Sequence, residues 1–189
     1  MKTKLSDYVV KIKNVLSKKQ CNDIVKELEE VEWKQHLFYH NKENKYAPES
    51  AEKELDSSSE YIKSYPIIMD SVWKSLHKYI VDDLKFSWFS GWSGFTPIKF
   101  NRYQDNKMMA NHCDHIHDIF EGEKKGIPIL SIVGGLNNNY QGGEFTMFEN
   151  KEYEIKEGEI LIFPSNFLYP HQVKPVTKGT RYSYVSWCY

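Results

Sequence analysis

Hydrophobic positions fall into two regimes along the chain. Val9, Val10, Ile12, Val15 and Leu16 give apolar weight to a strand over 8–16. Ser17-Lys18-Lys19-Gln20 then has the form of a helix capping box. Cys21, Ile24, Val25, Leu28 and Val31 follow at helical spacing, which predicts a helix with one face on a sheet. Residues 40–60 are rich in Ser, Glu and Lys and read as a polar loop, either a solvated connection or a lid over a substrate. A second helix is predicted over 65–83, with Pro66 in its first turn and Ile68, Val72, Leu76, Tyr79 and Ile80 as its stripe. Beyond it the pattern changes to short alternating runs separated by Gly, Asn and Pro. Strands are predicted near 85–90, 97–104, 107–114, 128–136, 144–149, 152–156, 159–163, 169–175 and 180–188. Turn chemistry at Gly142-Gly143, Glu157-Gly158 and Lys178-Gly179 supports several of these boundaries. Helices followed by strands predict an α+β, mainly β chain whose N-terminal helices (17–83) buttress one sheet of a double-sheet core (about 85–189).

The last strand carries the clearest alternation. Arg181, Ser183, Val185 and Trp187 share one face, and Tyr182, Tyr184, Ser186 and Cys188 share the other. If the first face lines the barrel, the Arg181 charge sits in an apolar cup and needs an anionic partner. That partner is either a carboxylate elsewhere in the chain or a dicarboxylate ligand. Arg102 and Arg181 are the two arginines among 25 basic residues, a skew that AT-rich coding also produces. A planar guanidinium suits bidentate carboxylate binding.

Composition narrows the classes. A chain of 189 residues, 40% apolar and 27% charged, fits a single domain over 1–189 with a sizeable core. A net charge of −1 gives no general attraction to nucleic acid or anionic membrane. No apolar run approaches the roughly 20 residues of a membrane span, and the first residues lack a signal-peptide core. Cys21, Cys113 and Cys188 have no framework spacing, so the expected setting is a reducing cytoplasm, the host's if the source is viral.

Candidate chemistry concentrates at His112-Cys113-Asp114, with His171 and Arg181 downstream. On an extended strand, residues i and i+2 share a face, so His112 and Asp114 reach one ion together while Cys113 points away. His171, from another strand, is the candidate third ligand. Two histidines and one carboxylate on one face of a metal leave open positions, the pattern of Fe(II) oxygen chemistry. His115 and His117 are either polar strand-end or lid residues or part of a second metal site. The aromatic run Phe86 to Trp92 reads as core or interface.

In combination these residues resemble the 2-oxoglutarate/Fe(II)-dependent oxygenases of the prolyl 4-hydroxylase type, from about Val9 to Tyr189. The carriers are Val15 to Cys21, Asn101-Arg102-Tyr103, Gly135-Leu136-Asn137, Gly142-Gly143-Glu144-Phe145 and Gly158 to Phe163. His171, Pro175-Val176, Gly179, Arg181-Tyr182-Ser183 and Trp187 follow in the family's order. Tyr103 precedes His112 by nine residues, and Arg181 follows His171 by ten. The resemblance implies a double-stranded β-helix, a jelly-roll or cupin-like core. It implies Fe(II) on His112, Asp114 and His171, the catalytic set, with 2-oxoglutarate and O2 as cosubstrates and ascorbate as a candidate reductant. Arg181 and Tyr103 would hold the distal carboxylate, with Ser183 a weaker third contact. Trp187 is either barrel wall or substrate mouth.

The implied activity is hydroxylation of a C–H bond, first of a prolyl residue in a peptide or protein, with release of succinate and CO2. A free amino acid or other small molecule is the alternative substrate, and a non-catalytic ligand-binding jelly roll is the alternative class. Nucleic acid and membrane are not expected partners. Three departures bear on the substrate. Met109 stands where the family often has tyrosine, and Phe145 where it often has threonine. The basic residue that helps bind peptide in some members is lost near Pro128, with Lys124 and Lys125 the nearest.

Overall fold

The computed structural model describes residues 4–40, 43, 45–48, 53–85, 94–104, 106–114 and 129–189. Residues 86–90 of the strand expected near 85–90, the aromatic run, His115, His117, Lys124, Lys125 and Pro128 lie outside them, as does part of the 40–60 loop.

The N-terminal half contains β1 (Val10–Ile12), α1 (Lys18–Leu28), β2 (Lys34–Gln35), β3 (Phe38–His40), β4 (Lys45–Ala47), β5 (Asp56–Ser58) and α2 (Tyr65–His77). The capping box forms as its sequence demands. The Gln20 amide donates to Ser17 Oγ at 3.2 Å, and the Ser17 amide donates to Gln20 Oε1 at 2.8 Å. Two helix-end donors that would otherwise lack partners are thereby satisfied. Pro66 occupies the first turn of α2, and the helix continues into a wider π turn over Lys78–Leu84.

The strand expected over 8–16 is shorter, because Asn14 adopts a φ of 58° that extended backbone cannot hold. Leu5–Tyr8 is a 3-10 turn, and the Val15 amide instead donates to the Gly158 carbonyl at 2.9 Å. A Cβ on Gly158 would lie 2.2 Å from the Leu16 carbonyl oxygen, and its φ of +75° also favours glycine. The described residues of the 40–60 stretch contain strands where the polar composition predicted a loop. Among its described residues, β4 pairs with β3, and β5 adds to the main sheet through Ser57↔Asn101. Pairing with a distant strand overrides local composition here.

The C-terminal half contains β6 (Lys99–Tyr103), β7 (Met109–His112), β8 (Leu130–Gly135), β9 (Gln141–Gly142), β10 (Phe145–Met147), β11 (Lys151–Glu152), β12 (Ile160–Pro164), β13 (His171–Val173), β14 (Val176–Lys178) and β15 (Arg181–Cys188). Most lie inside the predicted ranges. The run expected over 144–149 breaks at Phe148 and Glu149, both at positive φ, and the run over 169–175 ends before Pro175, which opens the way to β14.

A seven-stranded antiparallel sheet has the order β1-β12-β8-β15-β6-β5-β2, and a four-stranded sheet the order β11-β10-β13-β7. The expected fold is the one found: a mainly β double-stranded β-helix with helices on the outer face of the larger sheet. Alternation explains the layering. Ile160 and Ile162 of β12, Phe100 of β6 and Tyr184 of β15 pack with Ile24, Leu28, Ile68, Val72 and Leu76 of the helices. Leu161 and Phe163, Tyr103 and Val185 point the other way, into the barrel with Phe145, Met147 and Val173 of the smaller sheet. The central strands are buried on both faces, so β12 reads Ile-Leu-Ile-Phe rather than alternating with polar residues. Each fully buried side chain of this size contributes about 1.5–3 kcal/mol.

Gly134 shows how tight the outer layer is. A Cβ there would lie 2.0 Å from Tyr184 Cζ, and Tyr184 is fully buried. Gly134→Ala should lower unfolding free energy by about 1–3 kcal/mol in urea titration. An unchanged midpoint would show that the Tyr184 ring can move aside.

Candidate active site

The three metal-ligating candidates converge. Antiparallel pairing of β13 with β7 sets His171 directly opposite His112. Their ring centroids are 4.4 Å apart. Asp114 Oδ1 lies 3.5 Å from His112 Nε2, and Oδ2 lies 3.8 Å from His171 Nε2. One ligand atom from each residue falls within 4.8 Å of the other two. One detail differs from the expectation. The strand stops at His112, so Asp114 does not share a strand face with it; the carboxylate is held by Ser131 Oγ, which donates to Oδ2 at 2.5 Å. Ser131 in turn contacts the hydroxyl of Ser165.

Both imidazoles are oriented by the backbone. His112 Nδ1 donates to the Ala110 carbonyl at 2.8 Å, and His171 Nδ1 donates to the Tyr169 carbonyl at 3.1 Å. A carbonyl only accepts, so Nδ1 carries a proton, and each ring offers its Nε2 lone pair once Nε2 is deprotonated. Phe145 stacks on His171 with centroids 5.2 Å apart, and Phe163 meets it edge-on at 5.0 Å. These contacts fix ring orientation, as supporting shells of metal ligands do.

Burial opposes the Asp114 charge, but the charge of His171, the hydrogen bond and charge of His112 and the Ser131 hydroxyl outweigh it, so the carboxyl is held below its usual range. For His112, burial is outweighed by Asp114 and the Ala110 carbonyl, which raise its pKa; burial lowers that of His171. An ionised carboxylate and two neutral imidazole nitrogens facing one point make a donor set that fits a divalent ion. Among the described residues no fourth His, Cys, Asp or Glu joins the set, so coordination positions remain for other ligands.

Arg181 and Tyr103 form the inner end of the cavity. They are register partners across β15 and β6, each 2% exposed, and the guanidinium sits 4.9 Å from the Tyr103 ring centroid. Burial raises the Tyr103 pKa despite the arginine charge, so the phenol stays a neutral donor. Arg102, one residue along and facing outward, pairs with Asp56 at 3.1 Å. Arg181 has no such carboxylate among the described residues; its Nη1 donates to Ser183 Oγ at 3.0 Å. Ser183 thus orients the guanidinium and does not itself line the cavity. Trp187 and Val185 do line it.

Sequence reasoning did not pick out Ser131, His36 or Lys99. Lys99, Asn101 and Tyr103 alternate along β6 and all face the cavity, so strand parity carried the signal for Lys99. His36 and Ser131 come from segments whose place depends on the tertiary fold. A larger cavity of about 520 Å³ lies beyond Arg181 and Phe145, beside Glu144, Glu152 and Glu154. It contains none of the three convergent ligands, so the chemistry belongs to the smaller one.

A double-stranded β-helix with two histidines and one carboxylate in its cavity defines a class of metal-centre barrel. Residues 98–189 match the family model of the 2OG-Fe(II) oxygenase superfamily. A PKHD-type hydroxylase of Idiomarina loihiensis is 30% identical over 93 residues, 48% of this chain and 40% of the relative. The chain therefore spans less than half the length of that curated relative. A prolyl hydroxylase from Trichoplax adhaerens, solved with a hypoxia inducible factor peptide fragment, has a TM-score of 0.71 at 16% identity, covering 97% of this chain and 84% of that one. A Pseudomonas putida prolyl-4-hydroxylase has a TM-score of 0.65 at 18% identity, covering 96% and 91%. These two likenesses are likenesses of fold.

Arg181→Ala should weaken 2-oxoglutarate binding by about 2–4 kcal/mol, read by calorimetry on the Mn(II)-loaded protein. Unchanged affinity would remove Arg181 from the site. Protons compete with metal for the histidine nitrogens. Because the His112 pKa is raised, Mn(II) affinity should be full above that value and fall as pH drops through it, by roughly tenfold per unit per competing proton. Affinity flat between about pH 8 and about pH 5 would exclude the histidines as ligands.

Proposed function

We propose that the chain is a 2-oxoglutarate- and Fe(II)-dependent dioxygenase that hydroxylates a substrate C–H bond. The observation that carries this reading is the convergence of His112, Asp114 and His171 beside a buried arginine that lacks a carboxylate partner among the described residues. His112, Asp114 and His171 would hold the iron. Bound there with 2-oxoglutarate and O2, Fe(II) supplies the oxidation in which one oxygen atom enters the C–H bond, the other enters succinate, and CO2 is released.

The protein's own part is positioning and exclusion. Arg181 provides a charge-assisted pair for the distal carboxylate of 2-oxoglutarate, and the Tyr103 hydroxyl adds a neutral hydrogen bond. Ser183 holds the guanidinium in place by accepting from it. Ser131 donates to Asp114 Oδ2, which leaves Oδ1 free to face the ion. Phe145, Val133 and Val173 keep water from the inner wall, which strengthens each of these polar contacts. Ascorbate fits as an external reductant.

Two substrate readings follow. A prolyl residue in a peptide or protein is supported by the likeness in fold to the Pseudomonas putida prolyl-4-hydroxylase and the Trichoplax adhaerens prolyl hydroxylase. A free amino acid or other small molecule is supported by a half-buried lysine in the cavity wall, Lys99. With Fe(II), ascorbate and 2-oxoglutarate, a proline-rich peptide panel and an amino-acid panel should be searched by mass spectrometry for a +16 Da product, with succinate formed in step. Asp114→Ala should abolish product and metal binding while the fold persists. Turnover unaffected by Asp114→Ala would remove Asp114 from the chemistry, and a protein that forms no product and keeps its ligand binding in Asp114→Ala would be a binding module.

A further inference from the structure

The cavity holds a second, half-buried cation that is neither one of the metal-ligating candidates nor beside Arg181. Lys99 opens β6, on the same face as Asn101 and Tyr103, and lines the cavity with the three metal-ligating candidates. Its ammonium donates to His36 Nδ1 at 3.0 Å. No carboxylate lies within ion-pair distance of Lys99 among the described residues; burial lowers its pKa, and the Asp114 charge opposes that. Because His36 accepts at Nδ1, its neutral ring carries the remaining proton on Nε2. His36 is kept neutral, with its pKa lowered to about 3 by burial and then by the Lys99 and His112 charges.

The pair is fixed in place against the metal site. His36 meets Phe38 edge-on at 4.8 Å, and Phe38 meets His112 edge-on at 5.6 Å. The result is a patch made of donors alone: an ammonium with N–H groups to spare and an imidazole N–H. A half-buried cation without a carboxylate in ion-pair contact is costly, and a ligand carboxylate would offset that cost. Position separates this patch from the arginine. Lys99 lies four residues, about 13 Å of strand, from Tyr103, and is in register with Val185 rather than Arg181. An acid at Arg181 and an acid at Lys99 therefore occupy different stretches of the cavity.

We propose that Lys99, oriented by His36, recognises a carboxylate on the primary substrate, and that this substrate is a free amino acid or similarly small carboxylic acid rather than a residue inside a peptide chain. The proposal rests on the oxygenase reading above. An interior prolyl residue carries no carboxylate of its own, whereas a free amino acid always does. His36 and Lys99 are specificity residues in this account and touch no reacting atom.

The test uses the intact protein loaded with Mn(II) and 2-oxoglutarate, titrated with the free L-amino acids, their C-terminal amides and capped proline-rich peptides. Thermal shift followed by calorimetry gives the readout. At least one free acid should bind while its amide does not. Lys99→Met should weaken that acid roughly thirtyfold or more, with 2-oxoglutarate affinity retained, and Lys99→Arg should restore much of the binding. Circular dichroism melts establish that each variant is folded, and His36→Gln gives an independent, weaker perturbation of the same patch. Equal binding of acid and amide, binding of capped peptides alone, binding of no free acid, or undiminished acid binding in folded Lys99→Met each overturns the proposal. Loss of 2-oxoglutarate in Lys99→Met would instead assign the lysine to the cosubstrate's own carboxylate and equally overturn it. Failure of the unmodified protein to bind 2-oxoglutarate with Mn(II) is a different result, which sinks the oxygenase reading itself.

Discussion

The antiparallel pairing of β13 with β7 sets His171 against His112, and the metal-ligating set depends on that register. A shift of one residue would turn every side chain of β13 to the opposite face. The ion site would then lose its third donor without any change in sequence. What holds the register is the apolar layer around it: Phe145, Phe163 and Val173 pack where the two sheets face each other, and two of these rings also contact the His171 imidazole. Barrel packing and ligand geometry are therefore one constraint, so mutations that loosen the inner layer will disturb the site before they unfold the chain.

The polar groups in the cavity obey a single rule. Each buried charge is matched by an opposite group or placed where a ligand can match it. Asp114 is stabilised by His112, His171 and Ser131. Arg102, on the outer face of the same sheet, has Asp56. Arg181 and Lys99, on the inner face, have a serine hydroxyl and an imidazole nitrogen instead of carboxylates. Two inner cations without internal carboxylates mark two places for external acids. The inner one suits the diacid cosubstrate of the proposed reaction, and the other the proposed substrate acid.

Much of this architecture was legible in the sequence, for identifiable reasons. The capping box at Ser17 and Gln20 acts within one turn of chain, so its outcome is local. Strand alternation in β15 put Arg181, Val185 and Trp187 on one face and Tyr184 and Cys188 on the other, because a strand's period of two is fixed by backbone geometry. The Gly158 turn and the entry into α2 at Pro66 follow from the φ values those residues accept. His112, Asp114, His171 and Arg181 stood out because few chemistries need those side chains in that order.

Other features were set only when distant segments met. The polar 40–60 stretch gained strands because β6 offers an unpaired edge to β5, a fact absent from local composition. Asp114 reaches the site without strand geometry, through a hydrogen bond to Ser131 of β8. His36 becomes a partner of Lys99 across 63 residues of chain. Sequence alone determined which residues carry metal-binding groups and which face each residue within a strand takes, since both depend on neighbours along the chain. Tertiary structure decided which charges are left without internal partners, since that depends on every segment packed around them, and it is those charges that point to what the protein binds.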